Sequence, residues 1–229
     1  MLFDKELGKS SFSVVNRARG IIKRKLKVKN IKVGHAGTLD PLATGLLVIC
    51  TGKKTKTITS IQDAEKEYTG TITLGGTTPS YDLESEIDQT FPTEHITDEM
   101  IHEAARSFIG EHDQMPPIFS AKQVDGKRAY ELARKGKEVK LNPKRITIRE
   151  FEITEIRNSG NLEVDFRVSC SKGTYIRSLA HDFGKALNSG GHLSALRRTR
   201  IGDFCVDDAI TVEQFQFLIF GDETAPESS

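Results

Sequence analysis

The chain reads as an α+β domain built on a largely antiparallel sheet flanked by helices, and three observations lead there. Leu162, Val164, Phe166, Val168 and Cys170 alternate without a break, the period of a half-buried strand. Asn158-Ser159-Gly160-Asn161 is turn chemistry, and it joins that run to Ile146, Ile148, Phe151, Ile153 and Ile156 as an antiparallel hairpin with one slip in register. The order of helical and strand-like segments along the chain is that of a mixed α+β arrangement.

The remaining elements follow in order. Ser10-Ser11 precedes apolar residues at Phe12, Val15, Ala18, Ile22 and Leu26, which predicts a serine-capped helix with an outward face that is nearly all basic. Gly34-His35-Ala36-Gly37-Thr38-Leu39-Asp40-Pro41-Leu42-Ala43-Thr44-Gly45 is punctuated by three glycines and a proline, so a tight loop is expected rather than a helix or an exposed strand. From Lys66 to Leu74, Tyr68, Gly70, Ile72 and Leu74 share one strand face, and Gly75-Gly76 ends it. Ile96 and Thr97, followed by Ile101, Ala104, Ala105 and Phe108 with Gly110 as a stop, predict a capped helix with a hydrophobic staple from Ile96 to Ile101. Ile176, Leu179, Phe183 and Leu187 make a last helix, terminated at Asn188-Ser189-Gly190-Gly191.

With 229 residues the chain can bury roughly three quarters of its unfolded surface. Three widely spaced cysteines without a CxxC pair speak against a disulfide framework and for a reducing compartment. Neither a signal peptide nor an apolar run of membrane-spanning length is present, so a cytoplasmic protein is expected. The net charge of +1 hides strong segregation. Asp40 is the only acidic residue between Leu7 and Gln62, against twelve basic ones, while 63–115 is strongly acidic and 116–200 basic again. If the two basic blocks converge, they form a phosphate-binding face.

Several familiar sites are absent. Gly52-Lys53 fails the phosphate-loop pattern, with Leu47 upstream and Lys54 downstream. The six histidines include no HExxH and no cluster with cysteine, so no metal site is expected. There is no GxSxG elbow, and the loop offers one carboxylate where a glycosidase would want two. What remains is a lone carboxylate in a glycine-bounded loop amid basic side chains, which suits a nucleophile or base acting on RNA.

That loop, Gly34 to Gly45, resembles the signature of the TruB-type tRNA pseudouridine synthases, in which the aspartate is the nucleophile. The resemblance extends along the chain from Asp4 to about Thr211. Lys66-Glu67-Tyr68 looks like the strand carrying the family's active-site tyrosine. Pro116 to Lys122, with Gly126, Tyr130, Ala133 and Arg134 following, looks like its RNA-contacting segment. Cys170 to Arg177 is similar to the block supplying a second tyrosine and an arginine, and Leu193 to Arg198 to the stretch supplying a leucine. Two departures stand out. Glu6 replaces the usual proline of the opening motif, and fewer than twenty residues follow Ile210, leaving no room for the PUA module of many relatives.

The resemblance implies a pseudouridine synthase fold with one catalytic domain over 1–220 and an acidic, disordered tail over 221–229. It implies isomerisation of uridine 55 in the T loop of tRNA by base flipping, with no cofactor. The T arm of tRNA is the expected partner, and no membrane or obligatory protein partner is expected for what should be a monomer. Asp40 would attack the ribose or the base, or assist elimination. Arg177 would pair with it and hold it ionised. Tyr68 would stack on the extruded uracil and take part in proton transfer. Tyr175 and Leu196 would wall the pocket against water, and His35 would fill the gap left by flipping. Lys56, Lys122, Arg134, Arg197 and Arg198 are the candidate phosphate contacts. The rivals are an RNA-folding chaperone on the same scaffold and a synthase of another RNA.

Overall fold

The computed structural model describes residues 1–117 and 142–221, together with the backbone of two short strands in the intervening segment. In chain order the elements are β1 (Leu2–Lys5), α1 (Ser11–Leu26), β2 (Val33–His35), β3 (Ala43–Thr51), a 3₁₀ segment (Gly52–Thr57), α2 (Ile58–Asp63), β4 (Lys66–Leu74), β5 (Gly76–Thr77), β6 (Gln89–Thr90), α3 (Asp98–Ser107), β7 (Gly110–Gln114), β8 (Gln123–Val124), β9 (Lys127–Arg128), β10 (Lys144–Asn158), β11 (Leu162–Cys170), α4 (Ile176–Ala186), β12 (Gly191–Ile201), β13 (Phe204–Cys205), a 3₁₀ turn (Val206–Asp208) and α5 (Val212–Phe220). They fall into two compact units, Met1–Ala64 with the segment from Arg197 onward, and Glu65–Leu196. Among the described residues no helix is long and apolar enough to cross a membrane.

In the first unit β3 pairs antiparallel with β1 and β2. It is buried on both faces. Leu47 and Ile49 pack with Phe3, Val14, Val15, Ala18 and Ile21, whereas Leu46 and Val48 pack with Ala36, Ile201 and Val206. A strand covered on both sides reads as a continuous apolar run without alternation, which is why the sequence shows no strand there. The loop expected over 34–45 is accordingly shorter: β2 takes its first two residues and β3 its last three. Helix α1 starts as expected, with the Ser10 side chain accepting from the Ser13 amide at 3.1 Å. Its core face is displaced, however. Val14, Val15, Ala18 and Ile21 are buried while Phe12 and Leu26 are 66% and 58% exposed. An unanticipated helix, α5, carries a full capping box between Thr211 and Gln214, and Phe215, Ile219 and Phe220 pack on the α1 core.

In the second unit β11 lies between β4 and β10, and β10 pairs on to β7, all antiparallel. The expected hairpin is present, but with two register shifts, between Ile148 and Glu150 and between Ile153 and Glu155, instead of one. Each lets the strand change which residues face the core, so the apolar residues of β10 do not keep one parity. Phe108, Phe151, Phe166 and Phe183 form a cluster of tilted and edge-on rings with centroids 5.5–6.4 Å apart. Helix α3 is capped by Thr97, which accepts from Met100 at 3.3 Å, and ends at Ser107 before Phe108. Helix α4 ends where predicted, with Asn188 in the left-handed region at φ 53°.

Candidate active site

Asp40 sits in the first unit, in the stretch that joins β2 to β3, and three buried side chains hold that stretch at alternate residues. Arg198 donates from Nη2 to the Gly37 carbonyl at 3.0 Å. The Ser11 hydroxyl donates to the Leu39 carbonyl at 3.0 Å and accepts from the Leu39 amide at 2.8 Å. Lys5 donates from Nζ to the Pro41 carbonyl at 3.3 Å, and to the carbonyls of Glu6 and Lys9. Residues 37, 39 and 41 are thus pinned through their backbones, and the side chains of Thr38 and Asp40 are left outside those bonds. The Ala43 amide closes a turn onto the Asp40 carbonyl at 3.1 Å, with proline at the second turn position, where its fixed φ suits the geometry.

Lys5 is 1% exposed, and burial is the main reason its pKa is pushed down to about 8; Asp40 acts against that shift and Arg198 adds to it. One lysine therefore feels both the carboxylate and the buried guanidinium. The turn in which Glu6 replaces proline closes around this lysine, with the Gly8 amide on the Pro41 carbonyl at 2.9 Å. His35, at the end of β2, is half-buried. Burial lowers its pKa, the Gly37 backbone opposes that, and Arg198 adds to the lowering, so the imidazole is held neutral.

Gly45 shows how tightly the first unit is built at this point. It has φ +97°, and an added Cβ would overlap the Arg198 carbonyl oxygen and stand 2.8 Å from the Arg198 amide nitrogen. Gly45→Ala is expected to cost about 2–4 kcal/mol, from the left-handed backbone and the forced shift of β12, and to lower the thermal midpoint by roughly 4–16 °C. A midpoint within about 2 °C of wild type in a calorimetric scan would show that the strands relax around the methyl group.

The phosphate candidates fare differently. Lys56 is exposed in the 3₁₀ segment beside exposed Lys53 and Lys54. Arg197 forms a two-pronged pair with Asp4 at 3.0 and 2.7 Å. Arg198 corrects the expectation: it is 1% exposed and its guanidinium is engaged by the carbonyls of Leu46 and Gly37. A side chain so enclosed serves the loop rather than a phosphate. Lys122 and Arg134 lie outside the described residues.

The second unit holds the other candidates. Tyr68 is buried in β4 opposite Val168 of β11. Leu196, half-buried, is on β12. Tyr175 precedes α4, and its backbone is gripped by a side chain that sequence reasoning missed: the buried Gln114 amide donates to the Tyr175 carbonyl at 3.0 Å and accepts from the Tyr175 amide at 2.8 Å. Arg177, 6% exposed in the first turn of α4, donates from Nη1 to the Ser80 carbonyl at 3.2 Å, and its Nε lies 3.6 Å from Asp82 Oδ2. Asp82 was also missed. It is presented by a polar loop in which Thr78 and Ser80 donate to its carbonyl, the Glu84 amide donates to Oδ1, and Tyr81 holds φ 64°.

The chain as a whole is similar to known proteins. Residues 23–176 match the TruB family pseudouridylate synthase (N terminal domain), and residues 177–228 match the tRNA pseudouridylate synthase B C-terminal domain. A protein named tRNA pseudouridine synthase B from Flavobacterium johnsoniae is 59% identical over 217 residues, 94% of this chain and 93% of that one. Its namesake from Phocaeicola vulgatus is 59% identical over 216 residues, 94% and 90% of the two chains. Among solved structures, a chain in the crystal structure of a Cbf5-Nop10-Gar1 complex superposes with a TM-score of 0.67 at 30% identity over 94% of this chain. A chain in the structure of an H/ACA RNP bound to a substrate RNA containing 2′-deoxyuridine gives 0.64 at 29% over 94%. This chain spans about half of those solved chains, 54% and 53% respectively. The glycine-bounded Asp40 loop, the tyrosine of β4 and the arginine of α4 thus occur in a chain that belongs to the TruB family of pseudouridylate synthases.

Proposed function

We propose that this protein converts uridine 55 in the T loop of tRNA to pseudouridine, with Asp40 as the nucleophile. The observation that carries the reading is the Asp40 loop, pinned through the backbones of Gly37, Leu39 and Pro41 by Arg198, Ser11 and Lys5, in a chain 59% identical to a protein named tRNA pseudouridine synthase B. The reaction breaks the bond from the ribose C1′ to N1 of uracil and forms one from C1′ to C5. The C5 proton leaves and N1 takes one up, so atoms and electrons balance without a cofactor. Asp40 drives the cleavage, by attack on ribose or base or by assisting elimination. Tyr68 offers a flat face for the detached base and a hydroxyl for proton transfer. Arg177 supplies positive charge, and Tyr175 and Leu196 exclude water.

A stacked uridine must be unstacked before any of this, at a cost of a few kcal/mol, and His35, kept neutral by burial, is suited to stack where the base was. The exposed lysines at 53, 54 and 56 give the phosphate attraction that position alone requires. Incubating an unmodified tRNA transcript tritiated at uracil C5 with the pure protein is expected to release one equivalent of tritium. Sequencing of the product should then place the pseudouridine at position 55 alone. Modification at another position, or of another RNA in preference, would overturn the site assignment. Accelerated tRNA folding without tritium release would leave a chaperone.

A further inference from the structure

We propose that Arg198 is the positioning residue of the Asp40 loop, fixing where the carboxylate points relative to β3. Nε donates to the Leu46 carbonyl at 2.9 Å and Nη2 to the Gly37 carbonyl at 3.0 Å. Gly37 opens the loop and Leu46 lies in the strand that receives its end, so one rigid planar fork straps the loop's entrance to its exit. Gly37 itself has φ +96°, and a Cβ there would stand 3.3 Å from Arg198 Nη1, so the backbone passes close against the guanidinium.

The choice of residue is informative. An arginine that is 1% exposed and bonded to two neutral carbonyls carries a buried charge that an apolar side chain of like volume would avoid. That charge also reaches the ionisable side chains beside the loop, since it lowers the pKa of both Lys5 and His35. Arg198 thus sets the loop's geometry through its donors and the loop's field through its charge, without touching the substrate.

The inference rests on Asp40 being the catalytic group, and the test separates the two. Wild type, Asp40→Asn, Arg198→Met and Arg198→Lys are compared for turnover, RNA affinity and thermal midpoint. Arg198→Met is expected to lose about 100-fold in kcat with KM and RNA affinity within about threefold. Arg198→Lys, which keeps the charge and one carbonyl bond, should recover about tenfold of that loss. The titration of Lys5, followed by NMR, gives a second reading. Burial pushes its pKa down to about 8 and the Arg198 charge adds to that lowering, so the Lys5 pKa should rise in Arg198→Met and stay in Arg198→Lys. A folded Arg198→Met enzyme with wild-type kcat overturns the positioning role. If Arg198→Met does not fold, Arg198→Lys decides: kcat within twofold of wild type overturns it. Activity retained by Asp40→Asn would instead overturn the reading of Asp40, whatever Arg198 does.

Discussion

Asp40→Asn is expected to abolish isomerisation while leaving tRNA affinity within about threefold of wild type. The loop is held through its backbone by three other side chains. Its anchors run from the backbones of Gly37, Leu39 and Pro41 to Arg198, Ser11 and Lys5, and asparagine has the size of aspartate, so the loop should stand unchanged. The chemistry does depend on it, because an amide is neither a nucleophile nor a base at neutral pH. Knocking out one member of a catalytic set costs roughly 10⁴ to 10⁶ in rate. One further change has a definite sign. Asp40 raises the pKa of Lys5 against burial, so its loss should let that lysine titrate below about pH 8. Single-turnover tritium release and filter binding at one salt concentration measure both effects. Residual activity above about one per cent in a variant free of wild-type contamination would show that Asp40 is not the reacting group.

How far the sequence speaks depends on whether a residue's job is local. The β10–β11 hairpin was legible because its turn and the alternation of β11 lie within a few residues of each other, and one buried face imposes a period of two. Strand β3 was not, because burial on both sides erases that period. Strand β12 was hidden by Arg197, Arg198 and Arg200, which read as surface charge until the carbonyls of Leu46 and Gly37 are seen to engage Arg198. Helix α5 sits in a segment whose acidic composition masks its packed aromatics. The loop carrying Asp40 could be found from its glycines and from the absence of any other acid nearby. Its supports could not. Arg198 is 161 residues from Gly37, Gln114 is 61 from Tyr175, and Ser80 is 97 from Arg177, so these contacts exist only once the chain has folded. Serine at position 11 carries the same lesson on a shorter scale: Ser10 caps the helix, as its position announces, while Ser11 turns inward to Leu39.

Arg177→Lys should be nearly as damaging as removal of the side chain altogether, although it conserves the charge. In the wild type the guanidinium serves two acceptors at once, the Ser80 carbonyl from Nη1 and Asp82 from the Nε side, and both Arg177 and Asp82 are about one-twentieth exposed. A lysine ammonium is a point charge on a flexible stem, and it cannot reproduce a planar fork aimed in two directions. One charge-assisted bond to the reacting group that the ammonium does not remake is worth about 1.5–3 kcal/mol, and at about 1.4 kcal/mol per tenfold that is roughly a 10- to 150-fold fall in kcat/KM. Stability should fall too, because Asp82 would be left buried with a poorer partner, and uncompensated buried charge is costly. The two consequences separate by temperature: at 15–20 °C, well below the midpoint, a merely structural arginine would leave turnover near wild type. A persistent loss there, with tRNA affinity within a few-fold, is the result expected of a guanidinium that works in the reaction. Near-normal turnover in the folded variant would reduce Arg177 to a structural charge that holds the Asp82 loop in place.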